Sequence, residues 1–594
     1  MAYFVKWPLV ALVMVVGGLL ARTATASVRL YPWFCESGQT EAKPLPSGQA
    51  GVSLWVGDRA EEDNRIVMLG EGTRRLTARL YFENRLGREI PAGADVLFRM
   101  TDVFTGEVFY HKTPLGKSIA TGGRDKTSLE IELPELRPSY YHVLADVLER
   151  GRTLVGTRKG SDDFYVRGKK ETMTYAMLSL RTGMASWLED RVYGGFISAT
   201  VGAALPHCYD PLSRDPEMHG EFMRHFAQDT QKICEGYEAG VTGIALAAEA
   251  FRRCRDRTRC VFAEQMMWRA CEAMFPMQDE CGGAVAIFDQ MGDHGVFGKH
   301  RSWPPNLYYN SDQTDEWMQA LAYASLYYQR RGHEPDKVRR LNEACRRAGD
   351  FLVRESTAET NGIACVLRNY FRLVLKDDGT FERKPYWCEV YQPRLVSGLA
   401  ISAVALLRAG DRVPDAWWKT LDASTKWMEL QMGPNGHFDR KCDSSVEGGC
   451  HSFLGNIYAA EGFFFTGLAN RLAKRKADNG AVFKAAHRAY RFVTDDCYVK
   501  GKKYEYPLEF WVGPYVYWLF TEWLHDVGDE PVFKDWLTTL DRKWRIEREW
   551  GDFMRVPGMA CGRNLTNGML TAAILGYLGI RQMEEIGKPW TLVD

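Results

Sequence analysis

The sequence predicts a multidomain chain of α and β structure, an N-terminal antiparallel β-sandwich followed by an (α/α)6 toroid of six helical hairpins. Three observations predict it. Residues 27–168 carry short apolar or alternating runs separated by turn signals, without a helical period. Residues 169–594 carry a helical period almost throughout, as pairs in which a polar-faced helix precedes a more apolar one. The links between these helices are unequal, short after the apolar helix and long before it.

In the β region, Gly51-Val52-Ser53-Leu54-Trp55-Val56 is a short apolar run and Leu76 to Phe82 alternates in part. Phe104-Thr105-Gly106-Glu107-Val108 and Glu149-Arg150-Gly151-Arg152 read as hairpin turns. The charged run Arg167, Lys169, Lys170 and Glu171 marks the exit from this domain.

Beyond it, the polar-faced helices fall at about 171–190, 257–275, 336–355, 414–432, 481–496 and 532–545. The apolar ones fall at about 239–251, 315–330, 394–409, 456–472, 513–525 and 565–583. A helix that is apolar all round must be buried, so the second helices are expected to form an inner ring and the first an outer one. The long links 191–236, 276–312 and 356–391 then fall on one face, at the N-termini of the inner helices. Long ordered loops in a compact domain are usually functional, which places the expected site on that face.

The bulk numbers agree with this organisation and exclude several partners. A chain of 594 residues exceeds one ordinary domain, and 45% hydrophobic residues suffice for full cores. Lys plus Arg and Asp plus Glu both number 76, so nothing favours nucleic acid or an anionic membrane as partner. The N-terminus reads as a cleaved signal peptide, residues 1–26. Lys6 is its positive region, Trp7 to Ala21 its apolar stretch and Ala24-Thr25-Ala26 its cleavage site. A secreted or periplasmic protein without a membrane span in its mature chain is therefore expected. Fourteen Cys fit an exported chain, and Cys254/Cys260, Cys271/Cys281 and Cys442/Cys450 are spaced to close short disulfide loops. No Cys-x2-Cys pair or His-x3-His cluster calls for zinc, and neither a phosphate loop nor a dinucleotide fingerprint occurs. No metal or cofactor is expected, and the oligomeric state stays open.

The residues that carry chemistry gather where the inner helices begin. Asn306 to Trp317 is the densest segment, with Tyr309, Asp312, Asp315 and Trp317. Asp312 as helix cap and Asp315 and Glu316 as first-turn acids are the structural alternative, favoured by the helix dipole. Tyr386 to Arg394 places Glu389 among aromatics with Tyr391. Lys503 to Trp511 repeats that form with Glu505, Tyr506 and Trp511. A carboxyl among aromatic rings is held protonated more easily, which suits a general acid. Glu238 precedes the first apolar helix, His451 and Asn456 accompany the fourth, and Arg563 opens the sixth. First-turn acids among aromatic faces fit general acid/base chemistry on a sugar, since Trp and Tyr offer a flat apolar face with a polar edge.

Over residues 170–594 the chain resembles the six-hairpin (α/α)6-toroid glycosidases and polysaccharide lyases, some bacterial members of which carry an N-terminal β-sandwich. The resemblance is architectural; the Asp-Ala-Gly-Asp motif of family 9 cellulases is absent. It implies an oligo- or polysaccharide substrate. As a glycoside hydrolase, Asp312 or Asp315 is the expected base and Glu389 or Glu505 the acid, with inversion the expected outcome. Glu238, Tyr309, Trp317, Tyr391, His451, Asn456, Tyr506, Trp511 and Arg563 are the expected substrate contacts. The alternatives are a lyase drawing on His451, Asn456, Tyr391, Tyr504 and Arg563, and a non-catalytic carbohydrate-binding protein.

Overall fold

The computed structural model describes residues 47–57, 67–122, 124–155, 162–171, parts of 175–183, 233–275, 278, 280–287, 307–309, 311–332, 334–368, 371–375, 381–385, 392–438, 450–476 and 479–492. The chain combines α-helices with antiparallel and mixed sheets. It divides into two compact units, with described residues 47–183 in the first and 233–492 in the second.

In the first unit, β1 (Ala50–Val56), β3 (Arg75–Asn84) and β6 (Arg124–Glu132) form an antiparallel sheet in the order β1-β3-β6. A second sheet runs β2 (Val67–Gly70), β9 (Asp162–Arg167), β7 (Ser139–Glu149), β4 (Asp95–Asp102) and β5 (Val108–Pro114), with β8 (Arg152–Val155) also on β7. Period-2 patterning sends alternate side chains inward. Val52, Leu80 and Phe82 of one sheet share a single apolar core with Phe98, Val143 and Phe164 of the other. Both expected hairpins form. Arg150 and Gly151 take left-handed φ values of 49° and 77°, the two-residue turn that matches strand twist. The departure is β2, which pairs with β9 in parallel. This pairing joins distant segments and leaves no local signal.

The start of the first predicted outer helix belongs to this unit. Tyr175, Ala176, Ser179, Leu180, Thr182 and Gly183 are helical, and a Cβ on Gly183 would stand 2.6 Å from the Tyr140 ring of β7.

The second unit contains eight helices among the described residues: α1 (Ile233–Arg253), α2 (Arg257–Met274), α3 (Ser311–Arg331), α4 (Pro335–Glu355), α5 (Gln392–Arg408), α6 (Asp415–Gln431), α7 (Cys450–Leu472) and α8 (Asn479–Phe492). They alternate in character as the composition predicts. Every described side chain from Thr314 to Tyr328 of α3, Pro393 to Leu406 of α5 and Gly455 to Asn470 of α7 is buried. By contrast, α4 buries one stripe, including Leu341, Ala344, Cys345, Ala348, Phe351 and Leu352, and exposes the opposite face. The buried helices pack in sequence, α1 on α3, α3 on α5 and α5 on α7, while α2, α4, α6 and α8 pack against them. The close fit of α4 to α6 depends on Gly349, where a Cβ would stand 2.0 Å from the Trp417 ring. The Trp417 indole also donates to Asp350 across the same contact.

Two details differ from the sequence reading. The long links are not bare loops. They carry three antiparallel ribbons, β10 (Val285–Ile287) with β11 (Leu307–Tyr309), β12 (Thr357–Thr360) with β13 (Ile363–Leu367), and β14 (Phe371–Leu375) with β15 (Phe381–Pro385). Cys260 and Cys271 are free thiols, so neither the Cys254/Cys260 nor the Cys271/Cys281 loop is closed. Burial pushes the Cys271 and Cys345 thiols up, Cys345 to about 12, which keeps both neutral and unreactive. The third pair, Cys442/Cys450, and the signal peptide of residues 1–26 lie outside the described side chains. Among the described residues, no helix is long and apolar enough to cross a membrane.

Candidate functional site

The starts of α3 and α5 bring a charged cluster into an otherwise apolar interior. Helix α3 starts at Ser311, one turn before its apolar period begins, so Asp312 and Asp315 both lie inside it. The strand β11 leads directly into this end, and β10, β14 and α1 pack beside it. Thr314 fixes the entry by accepting a hydrogen bond from the Ala284 backbone N–H at 3.0 Å.

Asp315 and Glu316 are fully buried, and Arg394 at the start of α5 is 4% exposed. Arg394 Nη1 lies 2.6 Å from Glu316 Oε1, and its Nε lies 4.0 Å from Asp315 Oδ2. Gln319, one turn further along α3, donates from Nε2 to Asp315 Oδ2 at 3.0 Å. The Arg394 guanidinium also rests over the Tyr458 ring of α7, 4.9 Å from its centroid. Charge buried in an apolar interior persists only when paired and hydrogen-bonded, and here two carboxylates share one guanidinium.

Glycine makes the arrangement possible. Gly398, one turn after Arg394, faces Asp315, and a Cβ there would stand 1.7 Å from Oδ1. Gly462 likewise lets α7 approach α5, where a Cβ would lie 3.2 Å from the Pro393 carbonyl.

A second polar feature lies where α6 hands over to α7. The turn after α6 reverses at Gly436, whose φ of 89° and Cβ position 2.1 Å from the Arg488 carbonyl both demand glycine. Asn456 bolts this turn to the helices. Its Nδ2 donates to the Gly436 and Ala489 carbonyls at 2.7 and 3.0 Å, and its Oδ1 accepts from Phe438 N–H at 3.0 Å. His437 stacks on Phe492 with ring centroids 4.5 Å apart.

Of the residues singled out in the sequence, Asp315 stands in the buried cluster. Trp317 is fully buried, and its indole N–H donates to the Met274 carbonyl at 3.0 Å. Asn456 is likewise buried, and the side chains of both make hydrogen bonds within the unit. Asp312, Glu238, Tyr309 and His451 are described in backbone only: Asp312 and His451 in the first turns of α3 and α7, Glu238 within α1 and Tyr309 at the end of β11. Glu389, Tyr391, Glu505, Tyr506, Trp511 and Arg563 lie outside the described residues.

The sequence reading treated Glu316 as a helix-dipole acid and left out Gln319, Gly398 and Tyr458. A usable signal existed, because consecutive acids opening a helix that is apolar on every side require a buried cation. Compared with known proteins, the chain matches no family and no curated protein.

Proposed function

We propose that the chain is an exported carbohydrate-active enzyme, a glycoside hydrolase whose helical unit is an (α/α)6 toroid and whose N-terminal unit is an Ig-like β-sandwich. The observation that carries this reading is the row of buried helices α1, α3, α5 and α7, with carboxylates concentrated at the N-terminal end of α3. The strict alternation of these helices with the amphipathic α2, α4, α6 and α8 supports a double ring. The Tyr141 hydroxyl donates to the Arg137 carbonyl four residues upstream, a tyrosine corner that supports an Ig-like sandwich. The segment Lys6 to Ala26 supports export.

The burial of Asp315 favours Asp312 of the two candidate bases. Asp315 is enclosed by Gln319, Arg394 and the backbone at Gly398. Asp312, one turn nearer the helix end, is therefore the residue proposed to activate water. Asp315 and Glu316 follow it along α3 and are tied to Arg394 of α5. Glu389 or Glu505 supplies the proton to the leaving oxygen. Glycosidic cleavage requires such a protonated carboxyl and a second carboxylate, and a separation of about 6.5–9.5 Å gives inversion. The pairing of Arg394 with Glu316 weighs against a lyase at this position, because a lyase aims positive charge at the substrate carboxylate.

Incubation of the purified chain with neutral and uronate polysaccharides tests the assignment. New reducing ends without a C4–C5 double bond are the expected outcome. Products that absorb as unsaturated uronates would assign a lyase, and the absence of any product from a broad panel would leave only a binding role.

A further inference from the structure

At the other end of α3, about 24 Å along the helix from Asp315 to Arg331, the structure holds a second charged feature. The last turns of α1 and α3 and the first turns of α2 enclose a cavity of about 540 Å³, in the size range of small-molecule sites. Four arginines line it, Arg252, Arg255, Arg257 and Arg331, against one carboxylate, Glu264. That is a formal excess of three positive charges, in a chain with no net charge.

The local carboxylates are already engaged. Glu264 accepts from the Tyr327 hydroxyl and from Arg331 Nε, each at 2.6 Å. Glu249, fully buried behind the cavity, accepts from Nε and Nη2 of Arg252 and from Nε of Arg253, all at 2.7 Å. Burial opposes the Glu249 charge, but these bonds outweigh it and hold its pKa below the ordinary value. Arg252 and Arg331 are thus held in place in the cavity lining.

Helix electrostatics accounts for some of these arginines and not for others. Arg252 and Arg331 sit in last turns, where the helix dipole favours cations. Arg257 is the first residue of α2, where the dipole disfavours a cation and welcomes an anion. Arg255 holds a left-handed φ of 60°, a position that glycine fills at less cost. Both are exposed, and among the described residues neither guanidinium has an ion-pair partner. Two arginines thus stand against local preference, beside two that are already oriented.

We infer that this cavity binds a small polyanion carrying two or more carboxylate, sulfate or phosphate groups. Arg255 and Arg257 capture it, and Arg252 and Arg331 form the preset floor. The site is separate from the α3 N-terminus and does not depend on the hydrolase reading.

Calorimetric titration of the full chain at low ionic strength tests it, with citrate and pyrophosphate as probes and glucose as the neutral control. Saturable binding of at least one anion and none of glucose is expected. Tighter citrate binding identifies a carboxylate ligand, and tighter pyrophosphate binding a phosphate or sulfate. The double variant R255G/R257Q should weaken binding at least about tenfold. Glycine suits the left-handed backbone at position 255, so the fold is retained, as an unchanged melting temperature would verify. R339A, which removes an exposed α4 arginine paired with Asp336, should bind like the wild type. No saturable binding of either anion, or wild-type affinity in the double variant, would overturn the inference.

Discussion

Gly398 of α5 lies so close to Asp315 of α3 that a Cβ at position 398 would stand 1.7 Å from the carboxylate oxygen Oδ1. No rotation of a methyl relieves such a contact, so either the carboxylate leaves its bond with Gln319 or the helices part. Gly398→Ala should therefore destabilise the chain by about 1–3 kcal/mol, the usual cost of overpacking. Gly93→Ala, at a site with nothing within 4 Å of the added atom, should stay within about 0.5 kcal/mol of wild type. Urea unfolding of both variants measures the difference; equal midpoints would mean that α5 and α3 do not approach as described.

Arg394 and Glu316 should behave as one energetic unit. Removing either partner leaves a buried charge unpaired, which costs about 3–5 kcal/mol. Glu316→Leu and Arg394→Met should each reach that range, while the double variant should lose far less than their sum. A double-mutant cycle by denaturant unfolding gives the coupling, and additive losses would break the pair.

Asn456 joins three buried backbone groups. Asn456→Ala should cost about 1–3 kcal/mol through the donors and acceptors it strands. Asn456→Asp should be worse at neutral pH, because a carboxylate then faces the Gly436 and Ala489 carbonyls that now receive N–H bonds. Thermal melts of the two variants rank them; an aspartate variant as stable as wild type would remove Asn456 from its bolting role.

Glu249 should contribute to the pH profile of stability. Its folded-state pKa is depressed, with the Arg252 and Arg253 bonds outweighing the cost of burial. A depressed carboxylate stabilises above its unfolded pKa of about 4.3, and that contribution disappears as pH falls through the lower, folded value. Glu249→Gln should therefore melt earlier than wild type at pH 7, and the gap should narrow at acid pH. Melting curves that coincide at pH 7 would contradict this.

How much of the fold was legible depended on the range of the interaction. The alternation of buried and amphipathic helices was legible because it repeats in composition, and the Arg150-Gly151 turn because its chemistry is local. The starts of α1, α3 and α7 were placed four to six residues late. Their first two turns carry Glu238, Asp312 and His451 among other polar residues, so the hydrophobic period begins after the helix does. The ribbons β10–β11 and β14–β15 were missed because strands of three to five residues show too few alternations. The parallel pairing of β2 with β9 was missed because nothing local encodes it. Within the site, Asp315 was legible as a first-turn acid. Its enclosure by Gly398 and the pairing of Glu316 with Arg394 exist only once α3 and α5 are side by side.

The most direct test of the proposed chemistry is the hydrolysis rate of a neutral polysaccharide by the wild type and four single variants. Asp312→Asn should lower the rate by about 10²–10⁴-fold, the usual contribution of a general acid or base, without lowering the melting temperature. One of Glu389→Gln and Glu505→Gln should do the same, and His451→Ala should retain most activity. If all three acid variants keep wild-type rates while His451→Ala abolishes turnover, the carboxylates are not the catalysts and the hydrolase account is contradicted.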